Sequence, residues 1–353
     1  MAVPSQIMNP QRKLLDFVPG GMYLFSTKSE VRMEYRPQKS AGTMSPQVVL
    51  AIDIGATNIR FRGCAFEQMS GTMHVLWTDT GKTGSEEHLR QALVNVAQKL
   101  LSSQRVQSIA LATAGCPGIV SPDRESAIIT YLDPSKQLDI GGWLQDAGVD
   151  KVVLYNDLEC GCFGVTATSQ AQLQYIHRGL ESGIPDTFVI GMPGTGLGIG
   201  FWMDDAPHPS EGGHGLVAMM HDDPIEMRIW EGFYRKKPDT MPVYDDIVCG
   251  KGLGPLAKML SAMPEFFELD NKTLGDIVSI SDNELPSRLS QWANGKSDDT
   301  DVTEFARLVF GVFGKFLGRA LQMPVLTLMP KALFLGGAIV MANLSCFKGE
   351  FLQ

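Results

Sequence analysis

The chain has 353 residues, 44% of them hydrophobic, and carries a formal net charge of −9. That is enough apolar side chain for a large core, and the length predicts two packed units rather than one. The acidic balance excludes a basic nucleic-acid surface and a cationic membrane-binding helix, and no apolar stretch reaches the roughly 18 to 20 residues that span a bilayer. A soluble cytoplasmic protein with a small-molecule substrate is the expectation.

Residues 1–46 mix Pro, Gln, Ser and Met without a sustained period of 2 or 3.6, and are predicted to be a poorly ordered extension. They lack both the apolar core of a secretory signal and the acid-poor, Arg-rich character of a transit peptide. From residue 48, the runs VVLAIDI and IRFRGCAF flank Gly55 to Asn58, and a third run follows near His74 to Trp77, which predicts an antiparallel meander. Ser85, Glu86 and Glu87 open a helix whose apolar face is Leu89, Leu93, Val96, Ala97 and Leu100. A strand over 108–115, a loop-rich stretch to 147 and a strand over 151–157 follow, so the order points to an α/β fold with a partly parallel sheet. The second half opens with a strand at 187–192, a glycine corner and the run LGIGFWM. Helical patterns at about 223–235, 252–263 and 302–322 come next, then a last strand ending at Gly337. The acids Asp298, Asp299 and Asp301 read as a solvated loop.

Chemistry concentrates at the corners. Gly194, Gly196, Gly198 and Gly200 form a string that superficially matches a dinucleotide fingerprint, but Ile199, Phe201 and Trp202 continue as a strand where the fingerprint needs a helix. A glycine-and-threonine hairpin tip can instead present backbone N–H groups and a hydroxyl to a phosphate; most glycine hairpins are simply turns. Gly55-Ala56-Thr57-Asn58 invites the same two readings. Asp53 just before it, at the end of an apolar strand, needs a partner: Mg²⁺ with its waters, bridging nucleotide phosphates, or its own turn. Asn156-Asp157 ends a second apolar strand, where an Asp either points into a ligand crevice to orient or deprotonate a hydroxyl, or caps the following helix. Glu211 and His214 bracket two glycines and can hydrogen-bond adjacent hydroxyls of a sugar, although a lone histidine is more often structural. The segment VCGKGLG (248–254) is an anion or nucleoside platform at a helix start, and LFLGGAIV (333–340) is a fourth glycine corner.

Six cysteines (Cys64, Cys116, Cys160, Cys162, Cys249 and Cys346) show no metal or disulfide spacing and read as reduced thiols. Cys160-x-Cys162 is either a pair of small packed residues or a redox or metal half-site. The P-loop, protein-kinase and common hydrolase signatures are missing.

Six ordered motifs, AIDIGATN, LYNDLECGCFG, GTGLGIGFW, SEGGHG, CGKGLG and FLGGAIV, resemble the bacterial-type glucokinases of the hexokinase, actin and Hsp70 ATPase superfold, over about 48–340. The resemblance implies a two-domain ribonuclease-H-like fold with an interdomain cleft. It divides the chain into a 1–46 extension, a small domain over 47–155 and a large one over 156–353. It implies transfer of phosphate from Mg-ATP to the glucose 6-hydroxyl and admits a homodimer. Asp157 matches the catalytic base, and Asn156, Glu211, His214 and Asp245 match sugar ligands. Asp53, Gly55, Thr57 and Asn58 match the first phosphate loop, with Asp53 serving Mg²⁺ through water. Gly194, Thr195, Gly196 and Gly198 match the second loop, and Gly250, Gly252, Gly336 and Gly337 the nucleotide side.

Departures qualify what is implied. Ala56 replaces a second glycine, Asp245 stands for a longer glutamate, and 119–145 lacks the family's Thr-Asn sugar contact, with Asp133 a candidate replacement. The family continues beyond the last glycine pair, so the end at Gln353 predicts an incomplete large domain. Alternatives are a kinase for another hexose or amino sugar, a polyphosphate-dependent enzyme, and a catalytically weak sugar- or nucleotide-binding regulator.

Overall fold

In the computed structural model, the described residues are 21–24, 47–67, 72–103, 106–168, 172–178, 185–218, 222–264 and 270–351. The remainder of the predicted 1–46 extension lies outside them. In chain order the elements are β1 (Gly21–Leu24), β2 (Gln47–Ile54), β3 (Asn58–Glu67), β4 (Thr72–Lys82), α1 (Glu86–Leu101), β5 (Ser108–Cys116), β6 (Gly118–Val120), β7 (Ala127–Ile129), α2 (Ile140–Asp146), β8 (Val152–Asn156) and α3 (Asp157–Thr166). There follow β9 (Gln174–Arg178), β10 (Phe188–Pro193), β11 (Leu197–Met203), β12 (Ala206–Ser210), α4 (Pro224–Lys236), α5 (Tyr244–Ile247), α6 (Gly250–Ser261), α7 (Asn271–Ser279), α8 (Leu285–Ala293), α9 (Thr300–Leu328), β13 (Ala332–Leu335) and α10 (Ala338–Phe351).

Two compact units emerge. One spans Lys28–Gly161; the other takes Cys162 onward together with β1. The division falls after Gly161 rather than at 155/156, because Asn156 and Glu159 are tied by side-chain bonds to Gly118 and Arg124 of the first unit.

In the first unit the sheet order is β4-β3-β2-β5-β8. The predicted meander forms β2, β3 and β4 with antiparallel pairing, while β5 and β8 add in parallel. Helix α1 starts as its sequence dictates: Ser85 caps it, His88 closes the capping box, and the five predicted apolar positions are all buried. The stretch read as a loop to 147 contains the β6–β7 pair and α2, whose start Asp139 caps through the Gly142 N–H.

The second unit repeats the plan, with sheet order β12-β11-β10-β13-β1-β9. An antiparallel β10-β11-β12 meander is joined by parallel β13, as β2-β3-β4 is by β5. The next parallel place, held by β8 in the first unit, is taken here by β1. Gly21–Leu24 is therefore a strand, a correction to the reading of 1–46 as wholly extension; its parallel ladder with β13 comes from a distant part of the chain, which local patterning cannot reveal.

Helix α9 crosses this core with Phe305, Phe310, Phe313 and Phe316 buried. It runs past Pro324 to Leu328, beyond the predicted 322, because Val325 remains buried and tertiary packing outweighs the lost hydrogen bond. Asp299, assigned to a solvated loop, is its N-cap, accepting from the Asp301 and Val302 N–H groups. Helices α7, α8 and α10 were not anticipated.

Buried Glu226 on α4 pairs with Arg319 and with Lys315 (2.6 Å), and Lys315 also reaches Asp223, the cap of α4, at 2.8 Å. Burial works against the Asp223 charge, but the Lys315 bond and the α4 N–H groups outweigh it and hold its pKa below the ordinary 3.8. A depressed carboxylate contributes stability above its unfolded pKa that is lost as pH falls through the folded one. Thermal unfolding scans from pH 6 to pH 2 should therefore show a loss of melting temperature below about pH 4 that is smaller in Asp223→Asn than in the wild type.

Candidate active-site residues

In the first unit, parallel registry brings the candidate corners to one edge. Asp53 is level with Gly115, and Cys116 with Asn156, so the carboxyl ends of β2, β5 and β8 lie side by side. In an open α/β sheet that edge is where ligands bind.

The β2–β3 corner is a tight turn closed by Gly55 N–H donating to the Asn58 carbonyl at 2.9 Å. A Cβ on Gly55 would sit 2.9 Å from that same oxygen, which is why glycine stands there. Thr57 is exposed at the tip. Buried Thr83 braces the corner from behind: its hydroxyl donates to the Gly55 carbonyl at 2.5 Å and its N–H to the Thr57 carbonyl at 3.3 Å. Thr83→Val deletes that hydroxyl at nearly constant shape. A net hydrogen bond of about 1 kcal/mol predicts a loss of about that size in the unfolding free energy read by denaturant titration, recovered in part by Thr83→Ser.

Asp53 departs from expectation. The sequence offers Asp53 two partners, Mg²⁺ with its waters or its own turn; the structure supplies a third, since the side chain is 56% exposed and its Oδ2 accepts from Arg60 Nη1 at 2.7 Å. β2 and β3 are antiparallel neighbours and Arg60 is the direct cross-strand partner of Asp53, which supplies the counter-charge without an ion. Lys82 likewise reaches Asn58 Oδ1 at 2.9 Å. The sequence reading named neither Arg60 nor Lys82, although Arg60, two residues beyond Asn58, was readable as a cation beside the candidate turn.

Asn156 and Asp157 form the β8–α3 corner. Asn156 is buried: its Nδ2 donates to the Gly118 carbonyl at 3.0 Å and its Oδ1 accepts from the Leu158 N–H at 2.9 Å. Its side chain thus anchors and caps the helix start, a role the sugar-ligand expectation did not foresee. Asp157 is exposed in the first turn of α3, with Oδ1 accepting the Leu158 N–H at 3.0 Å. Cys160, one turn on, has its pKa pushed up to about 12, by burial first and then by Asp157, Glu159 and Asp53. It is a neutral thiol near three carboxylates. Buried Cys162 bonds the Phe201 carbonyl at 3.4 Å, and all six cysteines are free. Asp133 is exposed and bonds the Ser135 N–H and hydroxyl, a local turn.

In the second unit the glycine corners converge. The β10–β11 tip is closed by Gly194 N–H donating to the Gly196 carbonyl at 2.7 Å, and Gly250 N–H donates to the Gly194 carbonyl at 2.8 Å. Gly336 N–H reaches the Gly191 carbonyl at 3.0 Å. Gly337 has φ +95°, and a Cβ there would approach the Pro193 carbonyl at 2.6 Å. Thr195 is exposed at the tip, whereas Gly198 lies within β11 opposite Met192. Gly252 is buried in the first turn of α6, against the Asp246 and Ile247 carbonyls, so it packs helix against backbone.

Glu211 and His214 flank a single 3₁₀ turn, Gly212–His214, with His214 Nδ1 and Glu211 Oε2 3.1 Å apart and both side chains exposed. Asp245 is half-buried and accepts from the Leu197 N–H. It thereby anchors the second glycine tip, a different use from the sugar contact expected of it. The Leu197 carbonyl in turn lies against Gly213, leaving no room for a Cβ. One residue of β11 thus touches the Asp245 carboxylate through its N–H and the Glu211–His214 turn through its oxygen. Among the described residues there is no cluster of three or more acids, histidines and cysteines able to hold a metal, and no helix long and apolar enough to cross a membrane.

No curated protein sequence matches the chain. Among solved structures, glucokinase from Balamuthia mandrillaris in complex with glucose superposes with a TM-score of 0.66 at 20% identity, covering 89% of this chain and 86% of that one. A ROK-family transcriptional regulator, a homologue of the E. coli MLC protein, gives 0.60 at 17% identity, covering 87% of this chain and 69% of that one. A ROK-family glucokinase from Streptomyces griseus, in complex with glucose and AMPPNP, gives 0.59 at 18%, covering 86% and 88%. These likenesses establish the fold. The sequence profile described as Glucokinase matches residues 50–353, and the chain belongs to that family.

Proposed function

We propose that this protein transfers the γ-phosphoryl group of ATP to the 6-hydroxyl of glucose, giving glucose 6-phosphate and ADP, in the cytoplasm. The observation that carries the reading is the shared edge of β2, β5 and β8, where an exposed aspartate, Asp157, stands beside a braced phosphate-loop turn. Phosphoryl transfer asks little covalent chemistry of a protein and much positioning and electrostatics, and this edge offers both.

Asp157 takes the proton of the 6-hydroxyl as the oxygen attacks the γ-phosphorus. Glu211 and His214 receive sugar hydroxyls. The Gly55–Asn58 turn presents backbone N–H groups and the Thr57 hydroxyl to phosphate oxygens, with Arg60 and Lys82 adding positive charge. The converging Gly194–Gly196, Gly250 and Gly336–Gly337 corners let the nucleotide approach the backbone closely. A Mg²⁺ ion would share Asp53 with Arg60: the carboxylate is exposed, so an ion arriving on nucleotide phosphates can meet it through water. When bound, the ion neutralises charge on the transferring group.

The engagement of Asp245 by Leu197 favours one variation, a sugar that differs from glucose where the family's longer glutamate reaches. A steady-state panel of glucose, mannose, fructose, glucosamine and N-acetylmannosamine, with ATP or polyphosphate as donor, tests both. Highest kcat/KM for glucose with ATP supports the proposal. Preference for another sugar supports the variation, and preference for polyphosphate overturns the donor assignment. Sugar binding without turnover favours a regulator.

A further inference from the structure

Arg124 is a non-glycine residue with φ +63°, in the turn between β6 and β7. Such a conformation is uncommon for a bulky residue and persists where its surroundings hold it. Here the hold is visible at both ends. The Arg124 carbonyl accepts the Leu154 N–H at 2.7 Å, which fixes the turn against β8. The guanidinium lies 5.0 Å from the Tyr155 ring centroid and forks onto the buried Glu159 carboxylate, Nη1 to Oε2 at 2.6 Å and Nη2 to Oε1 at 2.9 Å. Glu159 Oε2 also accepts the Asn156 N–H at 2.8 Å.

Asn156 Oδ1 accepts the N–H of the second helical residue, Leu158, and Glu159, the third, reaches back to the Asn156 N–H, so the pair of bonds forms a variant of the capping box around Asp157. A capping box on a helix start ordinarily uses an exposed Glu; this one is buried and clamped bidentately by an arginine 35 positions away in sequence. The left-handed backbone at Arg124 is what lets one residue serve β8 with its carbonyl and α3 with its side chain.

We propose that the Arg124–Glu159 pair is a positioning device that fixes the backbone carrying Asp157, so that its carboxylate is held for proton removal. The inference rests on Asp157 being the base. Both residues act through the Asn156 backbone N–H, one residue before Asp157, rather than on the reacting atoms. Misplacing a catalytic group by about 1 Å costs on the order of 10²-fold in rate while leaving substrate contacts made elsewhere intact. The signature is therefore a fall in kcat without a matching change in KM for sugar or ATP.

The experiment compares wild type, Glu159→Gln, Glu159→Ala, Arg124→Lys and Arg124→Ala by kcat, both KM values, sugar affinity by calorimetry, and melting temperature. The expected result is a kcat loss of about 10²-fold in Glu159→Ala, with sugar affinity changed less than about threefold. Glu159→Gln, which keeps an acceptor for the Asn156 N–H, recovers part of the rate, and Arg124→Lys falls between wild type and Arg124→Ala. Should the alanine variants not fold, the Glu159→Gln and Arg124→Lys kcat values decide the matter. Wild-type kcat in folded variants, or equal losses in kcat and sugar affinity, would overturn the positioning role alone. A wild type that phosphorylates no sugar would overturn the functional reading and this inference with it.

Discussion

Asp157→Asn should lower kcat for sugar phosphorylation by about 10²- to 10⁴-fold, the usual contribution of a positioned general base. Asparagine keeps the size of the side chain and an oxygen for the Leu158 N–H, which Asp157 Oδ1 accepts at 3.0 Å, so the start of α3 is preserved. What it lacks is the capacity to accept a proton at neutral pH. Sugar affinity should change little, because the other proposed hydroxyl ligands are untouched, and melting temperature should stay close to that of the wild type. Stopped-flow or coupled assays of kcat beside calorimetric sugar binding read the two separately. A variant retaining wild-type kcat would remove Asp157 from the chemistry.

Gly213→Ala should abolish sugar binding and lower stability together. A Cβ at this position would overlap the Leu197 carbonyl oxygen, part of the first residue of β11, which is itself held through its N–H by Asp245. Neither side can yield without moving the glycine tip or the Glu211–His214 turn. Overpacking of this kind costs about 1–3 kcal/mol and sometimes more, and the displaced turn carries two proposed sugar ligands. Gly212→Ala is the matched control, since its Cβ would meet only the Ser210 hydroxyl at 3.2 Å and the Ile199 side chain at 3.4 Å. Calorimetry should show sugar affinity lost in Gly213→Ala and largely kept in Gly212→Ala. Equal behaviour of the two would show that the Leu197 contact does not organise the turn.

The readable and unreadable parts of this fold divide by range of interaction. The β2–β3 hairpin, the Ser85 cap and the buried face of α1 were legible because spacing and local chemistry determine them. So were the glycine corners, whose convergence within the second unit follows from β10 and β13 being parallel neighbours. The Gly21–Leu24 strand was not legible, since nothing local marks four residues that pair with a strand some three hundred positions away. The Arg60 partner of Asp53 was not legible because a strand's apolar neighbours do not reveal which face of its last residue meets solvent. Asp245 and Asn156 were assigned by motif to the sugar, and their observed bonds to Leu197 and Gly118 arise from contacts 48 and 38 residues apart. Arg124 carried no motif at all. Its role appears only when the β6–β7 turn is brought against the end of β8.

The central claim is that this chain moves phosphate onto a sugar hydroxyl with Asp157 as base. Phosphorus NMR of a reaction containing glucose, Mg-ATP and purified full-length protein tests it most directly, because the product is identified by its own resonance. Appearance of glucose 6-phosphate with the wild type, and its loss to background with Asp157→Asn, is the expected result. ATP and glucose left unchanged by folded wild-type protein that still binds glucose would contradict it.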